Sequence, residues 1–338
     1  FHKGSSGMSK RKLWIGIDVG STTVKTAVVN PLTKEVIHSH YKRHNADQSN
    51  TVLELLNDIH DTFPDGDFSV AVCGSGGGNI AETIGAHFIQ EVVANSIVIR
   101  EFYKDTRVAI ELGGQDAKVI FFTYDENTDE LIASYMRMNG SCAGGTGAFI
   151  DQIAELLNIR TEEFGALAEQ GSTQYDISGR CGVFAKTDIQ PLLNQGVAKS
   201  DLALSSFHAI SKQTIGGLAQ GMDITPPVIF EGGPLTFNPK LIEVFKERLH
   251  LDEHQVIIPE KPEITVAQGA ALSNGVMFSD QPNRYSPEKS RRALYEYIND
   301  KNYGGSATGS PFFISDQEKN EFLHRHPLQV FTPPELTA

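Results

Sequence analysis

Two short segments of the chain place an acidic side chain and a glycine turn at the same spacing. Residues 16–25 align without a gap on residues 109–118, an offset of 93 positions. In each copy an apolar strand pattern ends in a carboxylate, Asp18 or Glu111, and a glycine turn follows. Backbone N–H groups of such a turn can bind phosphate while the carboxylate holds hydrated Mg²⁺. The repeat predicts two related domains that bind one ligand, which we expect to be ATP.

A third glycine loop, at 231–234, follows another apolar strand pattern and completes the candidate nucleotide site. One such turn alone is equally consistent with an ordinary β-hairpin, but two aligned copies and a third loop favour phosphate binding. Lys25 and Lys118 end the two copies, and each could instead lie on the solvated face of its hairpin. The predicted nucleotide-binding residues are Gly20, Ser21, Thr22, Thr23, Lys25, Gly113, Gly114, Gly232 and Gly233.

Residues 74–79 form a further glycine-rich loop, which raises the alternative of dinucleotide binding. Glu91 lies 17 residues past Gly74, roughly where a ribose-binding acid would stand. The third position of that fingerprint is Asn79, however, and no strand–helix–strand unit precedes the loop. We therefore interpret it as a tight turn into a helix. No Walker-type phosphate loop occurs in the sequence.

The cysteines are the second group of residues with distinctive chemistry. Cys142 and Cys181 each precede a helical pattern, where the helix dipole lowers the pKa of a thiol and favours an anionic ligand. Buried free cysteines usually only pack, and this is the alternative for both thiols. Cys73 is a possible third ligand, but it precedes a different loop and is interpreted as structural. Two cysteines cannot complete a four-thiolate iron–sulfur site, whereas a symmetric dimer supplies four. Zinc is less favoured, because there is no Cys-x-x-Cys spacing and no histidine beside either thiol.

The hydrophobic pattern indicates which elements position these residues. Before the second copy it predicts three strands, a helix, a strand and a helix, at 12–19, 23–30, 34–41, 51–62, 68–72 and 93–103. The second copy repeats the three strands, at 107–112, 116–123 and 131–137. A long helical region at about 144–221, a strand at 227–230 and helices from Asn238 and Thr265 follow.

These patterns divide the chain into four segments. We expect a tag remnant or disordered start at 1–10, an N-terminal ATPase half-domain at 11–105 and a C-terminal half-domain with a cluster-binding helical region at 106–278. Residues 279–338 are rich in Pro, Ser and Gly and predict a linker or peripheral extension, with a peripheral helix at 316–326.

Composition excludes several classes of protein. No apolar run approaches the roughly 18–20 residues that a membrane span needs, so no membrane association is expected. The net charge of −13 argues against nucleic-acid binding. Three cysteines in a chain with no recognisable export signal should be reduced thiols, which favours the cytoplasm.

Together these residues resemble the CoA-enzyme activase family, the ATP-dependent reductive activators (component A) of 2-hydroxyacyl-CoA dehydratases, related to the ATPase subunits of benzoyl-CoA reductase. The resemblance covers about residues 12–275. The CoA-enzyme activase family belongs to the superfamily of acetate and sugar kinases, heat-shock chaperone ATPases and actin. The resemblance therefore implies an α/β fold of two related ribonuclease H-like domains with a nucleotide cleft between them. The segments that match its motifs are 16–23 and 111–118 for phosphate, 230–234 for adenosine, and 267–271 for the closing helix.

The resemblance also implies an activity. An ATPase of this kind hydrolyses ATP to ADP with Mg²⁺ and carries one [4Fe-4S] cluster between the subunits of a homodimer. Ferredoxin or flavodoxin would donate a low-potential electron, and an iron–sulfur protein of the dehydratase or reductase type would accept it. The residues that match in this sequence are Asp18 and Glu111 for Mg²⁺ through water, Gln115 or Asp116 for the attacking water, and Cys142 and Cys181 for the cluster.

Two departures from the family pattern affect this prediction. Glu111 stands where the family commonly has Asp, and the tail at 279–338 resembles the linker that follows the first activase domain of longer fused members.

The alternatives are a sugar or acyl kinase of the same superfamily and a regulatory ATPase without redox chemistry. A kinase would need a substrate-binding acid as general base and would have no use for paired cysteines.

Overall fold

The structure is a computed structural model that describes residues 10–128, 130–139, 144–282, 284–300, 313 and 315–326. The chain forms two compact units, Phe1–Leu294 and Tyr295–Ala338. Residues 1–9 and residues 304–310, a glycine- and serine-rich stretch of the predicted linker at 279–338, lie outside the described residues. The second unit contains the helix Asp316–Arg325, whose N-terminus is capped by Ser315, as predicted from the sequence.

Two five-stranded mixed sheets form the centre of the first unit. The first has the strand order β3-β2-β1-β4-β5 and the second has the order β10-β9-β6-β7-β8. The strands are β1 (Arg11–Val19), β2 (Thr23–Val29), β3 (Val36–Arg43), β4 (Gly66–Cys73), β5 (His87–Phe88), β6 (Val108–Leu112), β7 (Ala117–Asp125), β8 (Glu130–Asn139), β9 (Val228–Glu231) and β10 (Val256–Ile257).

The described residues also form twelve α-helices. They are α1 (Gln48–Thr62), α2 (Gly77–Ile84), α3 (Glu91–Phe102), α4 (Gly147–Leu157), α5 (Phe164–Glu169), α6 (Gly182–Asn194), α7 (Lys199–Thr214), α8 (Gly233–Phe237), α9 (Pro239–Leu249), α10 (Thr265–Val276), α11 (Pro287–Asn299) and α12 (Asp316–Arg325). No helix among the described residues combines the length and the apolar character needed to cross a bilayer.

The sequence repeat is a structural repeat. Read in chain order, the strands of both sheets have the same neighbours, and the same antiparallel hairpin opens each sheet. Even the irregularities coincide, because the β2/β3 ladder shifts register at Val28/Val29 and the β7/β8 ladder shifts at Phe121/Phe122, 93 positions later. The predicted fold of two related α/β halves is confirmed.

The last helix of the second half packs on the first half. Small residues of α10, among them Ala270 and Ala271, lie in one apolar core with Val29 and Ala71 of the first sheet. Conversely, the helix α3 of the first half packs on the second sheet through Ile99. The prediction that α10 packs closely on a sheet is therefore confirmed, and this exchange of helices holds the two sheets in one unit.

The predicted long helix region at 144–221 is interrupted. Residues 171–181 are irregular, and α4–α7 lie on either side of them. The interruption is stable because side chains of α7 bind its backbone. Asp201 accepts hydrogen bonds from the N–H groups of Ser172 and Thr173 at 2.8 and 3.0 Å, and Ser205 Oγ accepts one from Tyr175.

Candidate functional site

The two repeated turns touch each other between the sheets. A Cβ atom at Gly114 would lie 1.9 Å from Thr22 Oγ1, so only glycine permits this approach. Within the turns, the Gly20 N–H donates to Thr23 O at 2.9 Å and the Gly113 N–H donates to Asp116 O at 2.7 Å. The N–H groups of these two glycines therefore close their own turns.

Two cavities flank this contact. One, of about 520 Å³, lies between the two turns and includes Asp18, Glu111, Gln115 and Asp116 in its lining. The other, of about 380 Å³, is lined by both turns and by the loop at Gly233 and Pro234. The structure thus brings all three predicted glycine loops to one place, which is the arrangement that a nucleotide with its phosphate chain requires.

The lysine of each copy is paired with the acid of the same copy. Lys25 is the register partner of Asp18, and its Nζ lies 2.8 Å from Asp18 Oδ2. Although burial lowers the pKa of Lys25, the neighbouring Asp18 carboxylate outweighs this effect and raises it. Lys118 is the partner of Glu111 and also contacts Glu91 Oε2 at 2.8 Å. Neither lysine lies on a solvated face, so that alternative is wrong.

Asp18 retains an oxygen suited to a hydrated cation. Its Oδ1 is buried and has no hydrogen-bond partner among the described residues, while Oδ2 is taken by Lys25. Glu111, at the equivalent position of the second copy, is buried, and burial raises its pKa to about 7 although Lys118 opposes the shift. Two carboxylates form an oxygen-only donor set, which fits the preference of Mg²⁺.

The glycine loops continue the internal symmetry beyond the alignable repeat. In the parallel ladders, Asp18 pairs with Cys73 and Glu111 pairs with Glu231. The residues that follow, Gly74 and Gly232, both have positive φ, +96° and +95°. The loop at 74–79 is therefore the counterpart of the loop at 231–234, and its turn into α2 confirms the interpretation as a helix start.

Cys73 and Glu231 occupy equivalent positions but have different chemistry. Burial raises the pKa of the Cys73 thiol, which packs in the apolar core of the first sheet, so its interpretation as structural is confirmed. Glu231 is fully buried and accepts a hydrogen bond from Asn95 Nδ2 on α3 at 2.5 Å. Burial and the adjacent Glu111 raise the pKa of Glu231 to about 8.

The raised pKa of Glu231 predicts a pH-dependent stability. Between the usual pKa of glutamate and about 8, the folded chain keeps a proton that the unfolded chain has released, so the free energy of unfolding falls as pH rises. Glu231→Gln cannot ionise and still accepts from Asn95. We expect the melting temperature of Glu231→Gln, relative to that of wild type, to rise progressively from pH 5 to pH 8. The exposed Glu155→Gln is the control, and parallel pH profiles for wild type and Glu231→Gln would contradict the prediction.

The segments that carry the two candidate cluster ligands are adjacent. Cys142 lies outside the described residues, but Gly144, two positions later, packs so closely that a Cβ there would lie 1.9 Å from the Arg180 carbonyl oxygen. Cys181 directly follows Arg180 and is the N-terminal cap of α6, with a half-buried thiol. The next side chains, Val183 and Phe184, are 72% and 59% exposed. Cys181 therefore lies beside an exposed apolar surface.

Hydrogen bonds connect this region to the second turn. The N–H groups of Gly147 and Ala148, at the start of α4, donate to the carbonyl oxygens of Gly113 and Gly114 at 2.9 and 2.8 Å. A helix start normally leaves such N–H groups free. Here the carbonyl groups of the candidate phosphate turn accept from them, which connects the turn directly to the start of α4.

The sequence of the chain matches a known family of ATPases. Residues 15–273 match the profile of the BadF/BadG/BcrA/BcrD ATPase family. The chain is a member of this ATPase family. The match includes both turns, the loop at 231–234, the first nine residues of α10, and the positions of Cys142 and Cys181.

Relatives of this BadF/BcrA-type ATPase include characterised activators. The (R)-2-hydroxyglutaryl-CoA dehydratase activating ATPase of Acidaminococcus fermentans is 28% identical over 222 residues, which is 65% of this chain and 82% of that protein. The crystal structure of component A of the same dehydratase is 26% identical with a TM-score of 0.66, covering 77% of this chain and 96% of that one.

A second solved structure supports the fold alone. The activator of the 2-hydroxyisocaproyl-CoA dehydratase from Clostridium difficile, solved with bound ADPNP, has a TM-score of 0.66 at 23% identity. It covers 84% of this chain and 97% of that one. The resemblance identified in the sequence is thereby confirmed at the level of family and fold.

The structure of this ATPase adds residues that the sequence did not single out. Arg43 of β3 donates from Nη1 and Nη2 to the two carboxylate oxygens of Asp151 of α4, at 3.1 and 3.2 Å. Both residues line the smaller cavity. Tyr41 and Phe237 meet there with ring centroids 5.2 Å apart. These contacts join the first sheet to the helices of the second half across the cavity. No local sequence signal marked them, because each pair is distant in the chain.

Proposed function

We propose that this ATPase hydrolyses ATP and couples hydrolysis to the transfer of a low-potential electron to a partner iron–sulfur enzyme of the 2-hydroxyacyl-CoA dehydratase type. Relatives of the chain include activators of such dehydratases, and one solved neighbour holds the ATP analogue ADPNP. The observation that carries the proposal is the contact of Gly144 with Arg180. It joins the segments of Cys142 and Cys181 at a point tied by hydrogen bonds to a nucleotide turn.

ATP is proposed to lie across the contact of the two turns. Thr22, Thr23 and Gly114 line both cavities and would bind the phosphate chain, with the adenosine against the loop at Gly232 and Gly233. Mg²⁺, when bound, neutralises charge on the phosphates. Asp18 and Glu111 would hold its water ligands.

The catalytic side chains would act on the attacking water. Gln115 and Asp116 line the larger cavity and would orient it. Lys118, which contacts Asp116 Oδ2 at 2.5 Å, keeps that carboxylate in place. The Arg43–Asp151 pair would hold the halves together over the nucleotide.

The cysteine region is proposed to form a homodimer interface with one [4Fe-4S] cluster. The described residues offer a partly accessible thiol at a helix start, next to Val183 and Phe184, whose exposed apolar side chains a second copy would cover. Cys142 and Cys181 of each copy would supply the four thiolates, and the cluster would supply reversible one-electron chemistry. Loss of the γ-phosphate would move the second turn, and the turn would move α4 through its two hydrogen bonds.

A measurement on anaerobically purified protein separates this function from its alternatives. We expect brown protein with about four iron atoms per dimer and Mg²⁺-dependent release of phosphate from ATP. Ferredoxin or flavodoxin would be the electron donor, in the cytoplasm. Colourless, iron-free protein that transfers phosphate to a sugar or carboxylate would instead establish the kinase. Iron-free protein that only hydrolyses ATP would establish the regulatory ATPase.

A further inference from the structure

Two histidines and an aspartate form a cluster between β3 and α1. Tyr41 and Arg43 line the smaller cavity, and His38 and His40 alternate with them along β3, so the histidines lie on the opposite face of the strand. Asp58 of α1 faces them. Its Oδ2 lies 2.9 Å from His38 Nε2 and 3.0 Å from His40 Nε2. The three atoms lie within 4.8 Å of one another.

The histidine rings are held by further contacts. His40 Nδ1 lies 2.9 Å from the hydroxyl of Thr26, a fully buried residue on β2 and the register partner of His40. This contact directs Nε2 towards Asp58. Because a hydroxyl can donate or accept, Thr26 suits either tautomer of His40, including the one that carries its proton on Nδ1 and leaves Nε2 free for a ligand. The ring of His38 packs edge-on against Phe63.

The charges around the cluster also suit a cation. The next basic side chain on the same face, Lys42, is paired with Glu54 of α1. Asp58 is half exposed, so solvent can complete a coordination sphere.

We propose that His38, His40 and Asp58 form a binding site for a divalent transition metal ion of the zinc class, with water as the remaining ligand. Two imidazoles and one carboxylate are a donor set that such ions favour, whereas Mg²⁺ and Ca²⁺ prefer oxygen alone. In a tetrahedral zinc site with bonds of roughly 2.0–2.1 Å, ligand atoms stand about 3.4 Å apart. The distances from Asp58 Oδ2 to His38 Nε2 and to His40 Nε2, 2.9 and 3.0 Å, are about 0.5 and 0.4 Å shorter than this separation.

The bound ion would tie the edge strand β3 to α1. Since it would bind the folded chain and not the unfolded one, it should raise thermal stability. The site is independent of the nucleotide function proposed above. It shares only the strand β3 with the nucleotide cavity.

Titration of the full chain with Zn²⁺, in competition with a chromophoric chelator, tests the proposal. We expect His40→Gln to bind one Zn²⁺ ion fewer than wild type. We expect Asp58→Asn to bind Zn²⁺ at this site at least tenfold more weakly than wild type. His254→Gln removes an exposed histidine outside the cluster and should bind as wild type does. Zn²⁺ should raise the melting temperature of wild type and not that of His40→Gln.

Co²⁺ distinguishes this site from the thiols of the chain. The Co²⁺ absorption that His40→Gln removes should consist of d–d bands without thiolate charge transfer, since only nitrogen and oxygen are bound. Far-UV circular dichroism verifies that the variants are folded, and Asp58→Asn changes only a half-exposed side chain. Equal Zn²⁺ affinity in wild type, His40→Gln and Asp58→Asn would overturn the proposal.

Discussion

Cys181→Ser should reduce the iron content of the anaerobically purified protein from the proposed four atoms or so per dimer to nearly none. A serine hydroxyl, which stays protonated at neutral pH, is a much weaker iron ligand than a thiolate, and each proposed dimer would lose two of its four thiolates. Because Cys181 is only half buried and caps α6 through its backbone, the substitution should leave the fold intact. Iron and acid-labile sulfide analysis, together with visible absorption, measures the outcome.

Two further variants separate ligand loss from general damage. Cys73→Ala removes the buried thiol of the first sheet and should keep full iron, although its melting temperature falls. Gly144→Ala keeps every thiol, yet its Cβ would collide with the Arg180 carbonyl oxygen, so we expect loss of iron here too. Full iron in Cys181→Ser, or equal loss in Cys73→Ala, would argue against the proposed cluster.

The repeat in the sequence was sufficient to predict the core of the fold. Strand–turn–strand units depend on local alternation, so Asp18 and Glu111 could be placed at strand ends and the glycines in the turns. The pairing of Asp18 with Lys25 follows from the same hairpin. For this reason the eight predicted strands all appear in the structure in the predicted order, whereas the two-residue strands β5 and β10 were not predicted.

Contacts that depend on packing between distant segments were not predictable. Cys73 and Glu231 are equivalent in the two sheets but lie 158 positions apart, from 73 to 231, whereas Asp18 and Glu111 lie 93 apart. The difference arises because the helices α4–α7 are inserted between β8 and β9, so an ungapped comparison cannot align them.

The same limit applies to the other parts of the site. Asn95 was visible only as a polar residue within an apolar helix, and its partner Glu231 is 136 positions away. The sequence shows that His38 and His40 alternate with their neighbours along a strand. Asp58 completes the cluster only because α1 packs on β3.

Asp18→Asn should lower kcat for ATP hydrolysis by about a hundredfold or more, equivalent to about 2.7 kcal/mol of transition-state stabilisation. The substitution removes the charge that would hold hydrated Mg²⁺ beside the phosphates, while the amide fits the same space. We therefore expect the Mg²⁺ concentration for half-maximal rate to rise as well. Steady-state phosphate release at several Mg²⁺ concentrations measures both effects.

The pairing of Asp18 with Lys25 requires a second variant, because Asp18→Asn leaves a largely buried ammonium without its carboxylate. Such an orphaned charge costs roughly 3–5 kcal/mol of folding free energy and could distort the turn. Asp18→Asn/Lys25→Met removes both charges and should recover the melting temperature but not the rate. Recovery of the rate together with stability would mean that Asp18 only neutralises Lys25. Loss of rate in a restored fold, with a raised Mg²⁺ requirement, would assign the unpartnered Oδ1 to the metal.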